Sequence, residues 1–333
     1  MQILGEKIRW AVIGPGGIAH KFMRDMRVVE GGEVRWIVSR EMQRARAFAD
    51  EWNVEHAADS LAQITESAEV DAVYIASPHH AHAAAARELL AHGKAVLCEK
   101  PLTVNAREAG ELIRLSHLHQ TFLMEAMWTR MLPLYQVLDR WIKEGAIGKP
   151  VAVVSQFCGL PPKDPSQRWF NPEMAGGALL DLGVYNLAMS QWALGRKPQR
   201  VTASARFAES GVDELIAATL EYDGGGYGQF ICSMCASAEN RLEIIGDKGS
   251  IRVPGNFIQA EKAGRWADGE FTSCDEPMKG EGFVHEIEEM QRCMREGAIE
   301  SPLMPHADTL ATMEVMDEIR RQIGLHYAND DLG

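Results

Sequence analysis

A chain of 333 residues, 46% hydrophobic and 24% charged, is long enough for two domains, each with a core of its own. Its 34 Lys+Arg stand against 47 Asp+Glu for a formal net charge of −13, with no basic stripe for a nucleic acid and no apolar run long enough to cross a membrane. The N-terminal residues 1–7 lack the apolar segment and cleavage site of a signal peptide, and six scattered cysteines fit reduced thiols, so a cytoplasmic protein is expected.

In chain order, the first 125 residues alternate β-rich runs with helical patterns, the sign of βαβ units. Strands are predicted at 8–13, 34–38, 54–58, 70–76, 95–98 and 122–125, with helices near 18–29, 41–52, 79–92 and 105–119 between them. This predicts an N-terminal α/β Rossmann domain, a doubly wound parallel sheet, over residues 1–125. From 126 to 333 the pattern changes. A helix over 131–144 precedes strands at 151–157, 200–207, 214–223, 227–235, 240–245, 249–253 and 256–262, with a helix at 181–194 among them. Short Gly-rich turns join the strands, which predicts an antiparallel sheet in a C-terminal α+β domain. Helices at 283–296 and 306–324 and a frayed tail from Asn329 complete the chain.

Gly14-Pro-Gly16-Gly17-Ile18-Ala19 follows the first strand and opens a helix, matching G-x-G-x-x-A. The first glycine allows the tight turn, the second lets backbone approach a pyrophosphate, and Ala19 lets helix and strand pack closely. A dinucleotide is the expected cofactor. At the end of strand two, where an NAD enzyme places an acidic residue for the ribose, stand Ser39 and Arg40, with Arg44 one turn later. Those cations favour the 2′-phosphate of NADP(H), with NAD(H) open if Glu41 serves the ribose.

Glu99-Lys100-Pro101 ends strand five, at the sheet edge where catalytic groups of such folds collect. Lys100 there can orient a substrate hydroxyl, or it can be a solvated strand-end residue. In Gly176-Gly-Ala-Leu-Leu-Asp181-Leu-Gly-Val-Tyr185, a carboxylate and a phenol four apart share a helix face and can supply acid/base chemistry. The alternative makes Asp181 a helix cap and Tyr185 core. Cys232 and Cys235, three apart in a strand, face opposite ways and have no second pair, so no zinc site is expected.

Together the Gly14 turn, Ser77-Pro78-His79-His80-Ala-His82, Glu99-Lys100-Pro101 and the Gly176 to Tyr185 run resemble the glucose–fructose oxidoreductase / inositol dehydrogenase / rhizopine-catabolism family of NAD(P)-dependent oxidoreductases. Glu125-Ala-Met-Trp128-Thr-Arg130 and Tyr185 are most similar to its branch of dimeric trans-dihydrodiol and NADP-linked aldose 1-dehydrogenases. The resemblance implies that Lys100 is the catalytic lysine and that Tyr185, where many relatives carry His, takes the proton-transfer role with Asp181 as orienting group. It implies cofactor contact from Ser77, Pro78, His79, His82 and Glu99, whereas the residues alone also allow His79 and His82 to lie in a solvated first helical turn. It implies no metal, a sugar or diol substrate, a C-terminal sheet that is large, mostly antiparallel and open on one face, and pairing of subunits into a dimer or tetramer through that sheet. Trp128, Arg130, Phe157, Arg168 and Trp169 are candidate substrate walls, each also a plausible core residue. Two other readings stand beside this one: an NAD-preferring inositol or amino-sugar dehydrogenase, and a dinucleotide sensor without catalysis.

Overall fold

The computed structural model describes residues 7–195 and 197–331, so the reading of positions 1–6 lies outside the described residues. Two compact units form: Met1–Thr103, Arg107–Trp128 and Lys279–His306 in one, and Val104–Ala106, Thr129–Met278 and Ala307–Gly333 in the other.

In the first unit, strands β1 (Ile8–Ile13), β2 (Gly32–Val38), β3 (His56–Ala58), β4 (Ala72–Ile75), β5 (Ala95–Glu99) and β6 (Leu123–Ala126) are all parallel, in the order β3-β2-β1-β4-β5-β6. This is the doubly wound order of a dinucleotide-binding sheet. Strands covered on both faces have no polar side, and β4 and β5 are buried throughout. Helices α1 (Gly17–Met26), α2 (Met42–Trp52), α3 (Ala62–Thr65), α4 (His82–Ala91) and α5 (Ala106–His119) follow in turn.

Helix α6 (Pro133–Lys143) leads into the second unit's sheet of eight strands. These are β7 (Pro150–Cys158), β8 (Arg200–Phe207), β9 (Asp213–Tyr222), β10 (Gly226–Ser233), β11 (Leu242–Gly246), β12 (Gly249–Val253), β13 (Lys262–Ala267) and β14 (Glu270–Asp275). Every pairing is antiparallel except β7 with β10. One face carries α7 (Val184–Leu194), buried along nearly its whole length. The opposite face leaves Val154 on β7 and Tyr227 and Ile231 on β10 exposed. Helices α8 (Phe283–Arg295) and α9 (His306–Ile323) end the order.

Four details depart from the sequence reading. The strand expected at 256–262 is a helical turn, Phe257–Gln259, because the Phe257 ring turns fully inward against Phe157 while its carbonyl accepts the Tyr135 hydroxyl at 2.7 Å. The β13–β14 hairpin after it went unread. The tail expected to fray from Asn329 is anchored: Asn329 is buried, and Asp330 receives Arg320 Nη1 at 2.7 Å and Asn105 Nδ2 at 3.0 Å. Helix α8 packs with α1 in the first unit, where the buried Asp25 caps it by accepting the amides of Glu281, Phe283 and Val284 at 2.8, 2.7 and 3.2 Å.

Candidate active site

The turn between β1 and α1 has the shape its glycines imply. Gly14 has φ +85°, and a Cβ there would lie 2.9 Å from backbone atoms of Ala76 and Ser77, so the end of β4 leaves no room for a side chain. Helix α1 opens at Gly16 with no side-chain cap, Gly17 and Ile18 are exposed, and Ala19 is buried against the sheet. Uncapped amides at the head of a helix beside a side-chain-free turn fit a pyrophosphate. At the end of β2 the Ser39 hydroxyl accepts the Glu41 amide at 3.4 Å, and Arg40 and Arg44 are exposed with no ion pair among the described residues.

The end of β5 is braced from below. Tyr74 on β4 donates its buried hydroxyl to Glu99 Oε1 at 2.6 Å, and Glu99 Oε2 receives the Lys100 amide at 3.2 Å. Glu125 on β6 accepts the Leu102 amide at 3.0 Å and fixes the loop beyond Lys100. His82 is wholly buried, its Nε2 2.8 Å from the Ser77 carbonyl and its Nδ1 2.9 Å from that of Pro101, so one imidazole ties the loop after β4 to the loop after β5. Burial holds its pKa down at about 4, and a neutral ring donates to one of the two carbonyls at a time. His79 is buried too, its ring 5.9 Å from that of His82. The solvated first turn is thereby overturned for both.

Beside this corner, Lys21 of α1 lies with Nζ 3.9 Å from the centre of the Trp128 ring and 4.6 Å from that of Phe283. Burial lowers its pKa. Trp128 is 4% exposed, its edge against Phe283, so the ring face toward Lys21 is taken. Glu286 of α8 is fully buried, both its oxygens are without a hydrogen-bond partner among the described residues, and burial, then the neighbouring Glu99, pushes its carboxyl well above the usual carboxylate range.

In the second unit, Leu179–Gly183 forms a π-helical turn that runs directly into α7. Such turns cluster at functional sites because the widened backbone re-aims side chains. Asp181 lies inside this turn, not at a cap, and accepts Arg168 Nη1 at 3.0 Å. Arg168 also stacks over Trp169, 5.0 Å from its ring centre. Tyr185 is buried, its ring edge-on to Phe157 at 5.6 Å, and Phe157 in turn meets Phe257 at 5.8 Å. Arg168, Trp169 and Asp181 therefore form one group of contacts and Phe157, Phe257 and Tyr185 another, with Asp181 and Tyr185 four residues apart along one helical run. Arg130 instead pairs with Asp308 of α9 at 3.3 Å, and its side chain is largely buried. Tyr74, Lys21 and Glu286 were not singled out from the sequence, since nothing in an apolar strand or a helix pattern marks a buried polar residue as a neighbour of Glu99.

Among the described residues no group of three His, Cys, Asp or Glu is placed to hold a metal, and no helix is long and apolar enough to cross a membrane. The model of an oxidoreductase family with an NAD-binding Rossmann fold matches residues 8–126, and that of the Gfo/Idh/MocA C-terminal domain matches residues 135–252. The chain belongs to the Gfo/Idh/MocA family of oxidoreductases. Among its curated relatives is mouse trans-1,2-dihydrobenzene-1,2-diol dehydrogenase, 31% identical over 334 residues, covering 97% of this chain and 99% of the mouse protein. A solved 3-ketoreductase from Actinomadura kijaniata in complex with NADP and TDP-benzene is 25% identical, with a TM-score of 0.85 over 95% of this chain and 98% of that one. The aldose-aldose oxidoreductase from Caulobacter crescentus complexed with glycerol, 21% identical, shares the fold with a TM-score of 0.87 over 95% and 97% of the two chains. The family expected from the motifs is thus the family found, in the branch that Tyr185 and the Glu125 to Arg130 run pointed to. As a member of this family the chain is an enzyme of dehydrogenase type with a dinucleotide-binding Rossmann domain.

Proposed function

We propose that this Gfo/Idh/MocA enzyme is an NADP(H)-dependent oxidoreductase that moves a hydride between the nicotinamide and a hydroxyl-bearing carbon of a sugar or cyclic diol. The observation that carries the reading is the placement of the buried Asp181 in a π-helical turn and of the buried Tyr185 four residues on, at the start of α7, with the Arg168 guanidinium on the carboxylate and Phe157 against the phenol ring. When bound, NADP(H) supplies the hydride acceptor or donor. Tyr185 takes the substrate hydroxyl proton in the oxidative direction and returns it in the reductive one. A phenol ordinarily near pKa ~10 needs a cation beside it for that task, and Lys100 is the cation proposed, holding the same substrate oxygen. Asp181, itself held by Arg168, orients the substrate. Arg40 and Arg44, exposed and without ion pairs among the described residues, are proposed to receive the 2′-phosphate, supported by the NADP of the Actinomadura relative. The mouse relative's dihydrodiol supports a diol, and the Caulobacter protein's name an aldose.

The proposal extends to assembly and place. The exposed Val154, Tyr227 and Ile231 favour a homo-oligomer formed through the open sheet face, and six free cysteines, four of them buried, suit the reducing cytoplasm. The test is NADP⁺ and NAD⁺ reduction, followed by absorbance of the reduced nicotinamide, across aldoses, polyols and trans-dihydrodiols. Turnover with NADP⁺ on a sugar or diol supports the reading. Tight NADPH binding with no turnover on any of them contradicts it in favour of a sensor.

A further inference from the structure

The π-helical turn is fixed at its start by a buried carboxylate that lies outside the reacting cluster. Asp213, the first residue of β9, is completely buried, and its Oδ2 accepts the Leu179 amide at 2.6 Å. Its Oδ1 is equally buried and has no hydrogen-bond partner among the described residues. The space is closed around it: Gly177 has φ +127°, and a Cβ there would lie 2.1 Å from Oδ1 and 3.0 Å from the Tyr327 hydroxyl. That hydroxyl donates to the Gly176 carbonyl. Tyr327 is held in turn by its own amide on Asp330 at 3.0 Å and by Arg320, which also bonds Asp330 and sits 5.3 Å over the tyrosine ring. Leu179, two residues before Asp181, is therefore pinned from β9, and Gly176, five residues before Asp181, from the C-terminal segment.

A bare carboxylate is an expensive way to fill a core, and an apolar side chain would pack there without the desolvation penalty. What the carboxylate adds is a charged acceptor for the amide that starts the turn. We infer that Asp213 is a positioning residue for Asp181 and Tyr185, setting the placement of the turn on which both depend. The inference rests on the reading that these two act on the substrate.

The groups around Asp213 give it a pH dependence. Burial raises its pKa to about 7, against the Leu179 and Ala178 amides and Arg320 of α9, which favour the charged form. The other titratable neighbours, Cys232 on β10 and Tyr327, are kept neutral because burial pushes both well up. Below that pH the acceptor loses its charge.

Hydrogen exchange of the segment 176–185 in the full chain tests this, read between about pH 6 and about pH 8 and corrected for intrinsic rates. Wild-type protection of that segment should fall as pH falls through about 7 while the sheet strands stay protected. Asp213→Asn, isosteric and uncharged, should exchange there roughly tenfold faster or more above that pH and show no such step. Its kcat on the sugar or diol that turns over should drop by about the same factor, with the NADPH Kd unchanged and the acid limb of the kcat profile gone. Wild-type protection that does not change across this range overturns the inference even if the variant does not fold, and so does an Asp213→Asn variant with wild-type exchange and pH profile. Wild-type turnover by Tyr185→Phe, with the exchange step intact, would instead sink the reading of the site and leave the clamp standing.

Discussion

Replacing Gly14 by Ala isolates the contribution of the phosphate turn. At φ +85° an alanine carries the left-handed penalty of about 1–2 kcal/mol. Its Cβ would also stand 2.9 Å from the Ala76 carbonyl carbon and oxygen and from the Ser77 nitrogen, backbone atoms of the loop after β4 that no side-chain rotation can clear. Overpacking of that kind costs about 1–3 kcal/mol, so about 2–5 kcal/mol in all must be absorbed by moving the turn away from β4. The displaced turn carries the head of α1 with it. Fluorescence titration should find the NADPH Kd raised by about thirtyfold or more, and the thermal midpoint should fall by roughly several degrees. Gly17→Ala is the contrast, because no atom of the described residues lies within 4 Å of its added Cβ and the position is the first of a helix. Its thermal midpoint should be unchanged or slightly raised. A Gly14→Ala protein with wild-type Kd and midpoint would refute the packing argument and the role of the turn together.

Three other outcomes follow from the same geometry. Arg40→Glu should weaken NADPH about tenfold or more and NADH far less, read as the ratio of the two Kd values; an unchanged ratio contradicts the 2′-phosphate assignment. His82 is held neutral in the fold with its pKa at about 4, whereas in the unfolded chain it takes up a proton near 6.5, so the unfolded state binds more protons between these values. That share of stability, up to about 3 kcal/mol, is present above pH ~6.5 and is lost as pH falls toward ~4. Asp213 acts with opposite sign in part of the same window, so the check is the difference between wild type and His82→Gln in denaturant midpoint against pH, which should shrink as pH falls; a constant difference would contradict the assignment. Ile231→Lys, on the open sheet face, should shift light-scattering mass toward the monomer, and an unaltered oligomer would place the interface elsewhere.

The Rossmann sheet was legible because strands buried on both faces read as unbroken apolar runs, as 72–75 and 95–98 do, and because the glycine turn falls between a strand and a helix. The β13–β14 hairpin was not, since β14 is exposed along almost its whole length and has no apolar face to give a period of two. Asp268-Gly269 at its turn, with φ +54° and +80°, was the signal that marks it. Helix α8 shows why a helical pattern says nothing about its partner: its apolar stripe is legible, but its place beside α1 depends on Asp25, over 250 residues away in sequence. For the proposed site, the motifs supply Lys100, Asp181 and Tyr185 as candidates, while Asp213 and Tyr327 carry no such signal because their contacts with Leu179 and Gly176 exist only in the folded second unit. The tail after Asn329 looked free for the same reason, its polar residues being anchored by Arg320 and Asn105.

The most direct test of the account is steady-state turnover by Tyr185→Phe on a sugar or diol substrate, measured beside its NADPH Kd. The account predicts kcat lowered by about a hundredfold to ten-thousandfold with the Kd within about twofold of wild type. Wild-type kcat in that variant would contradict the assignment of proton transfer to Tyr185.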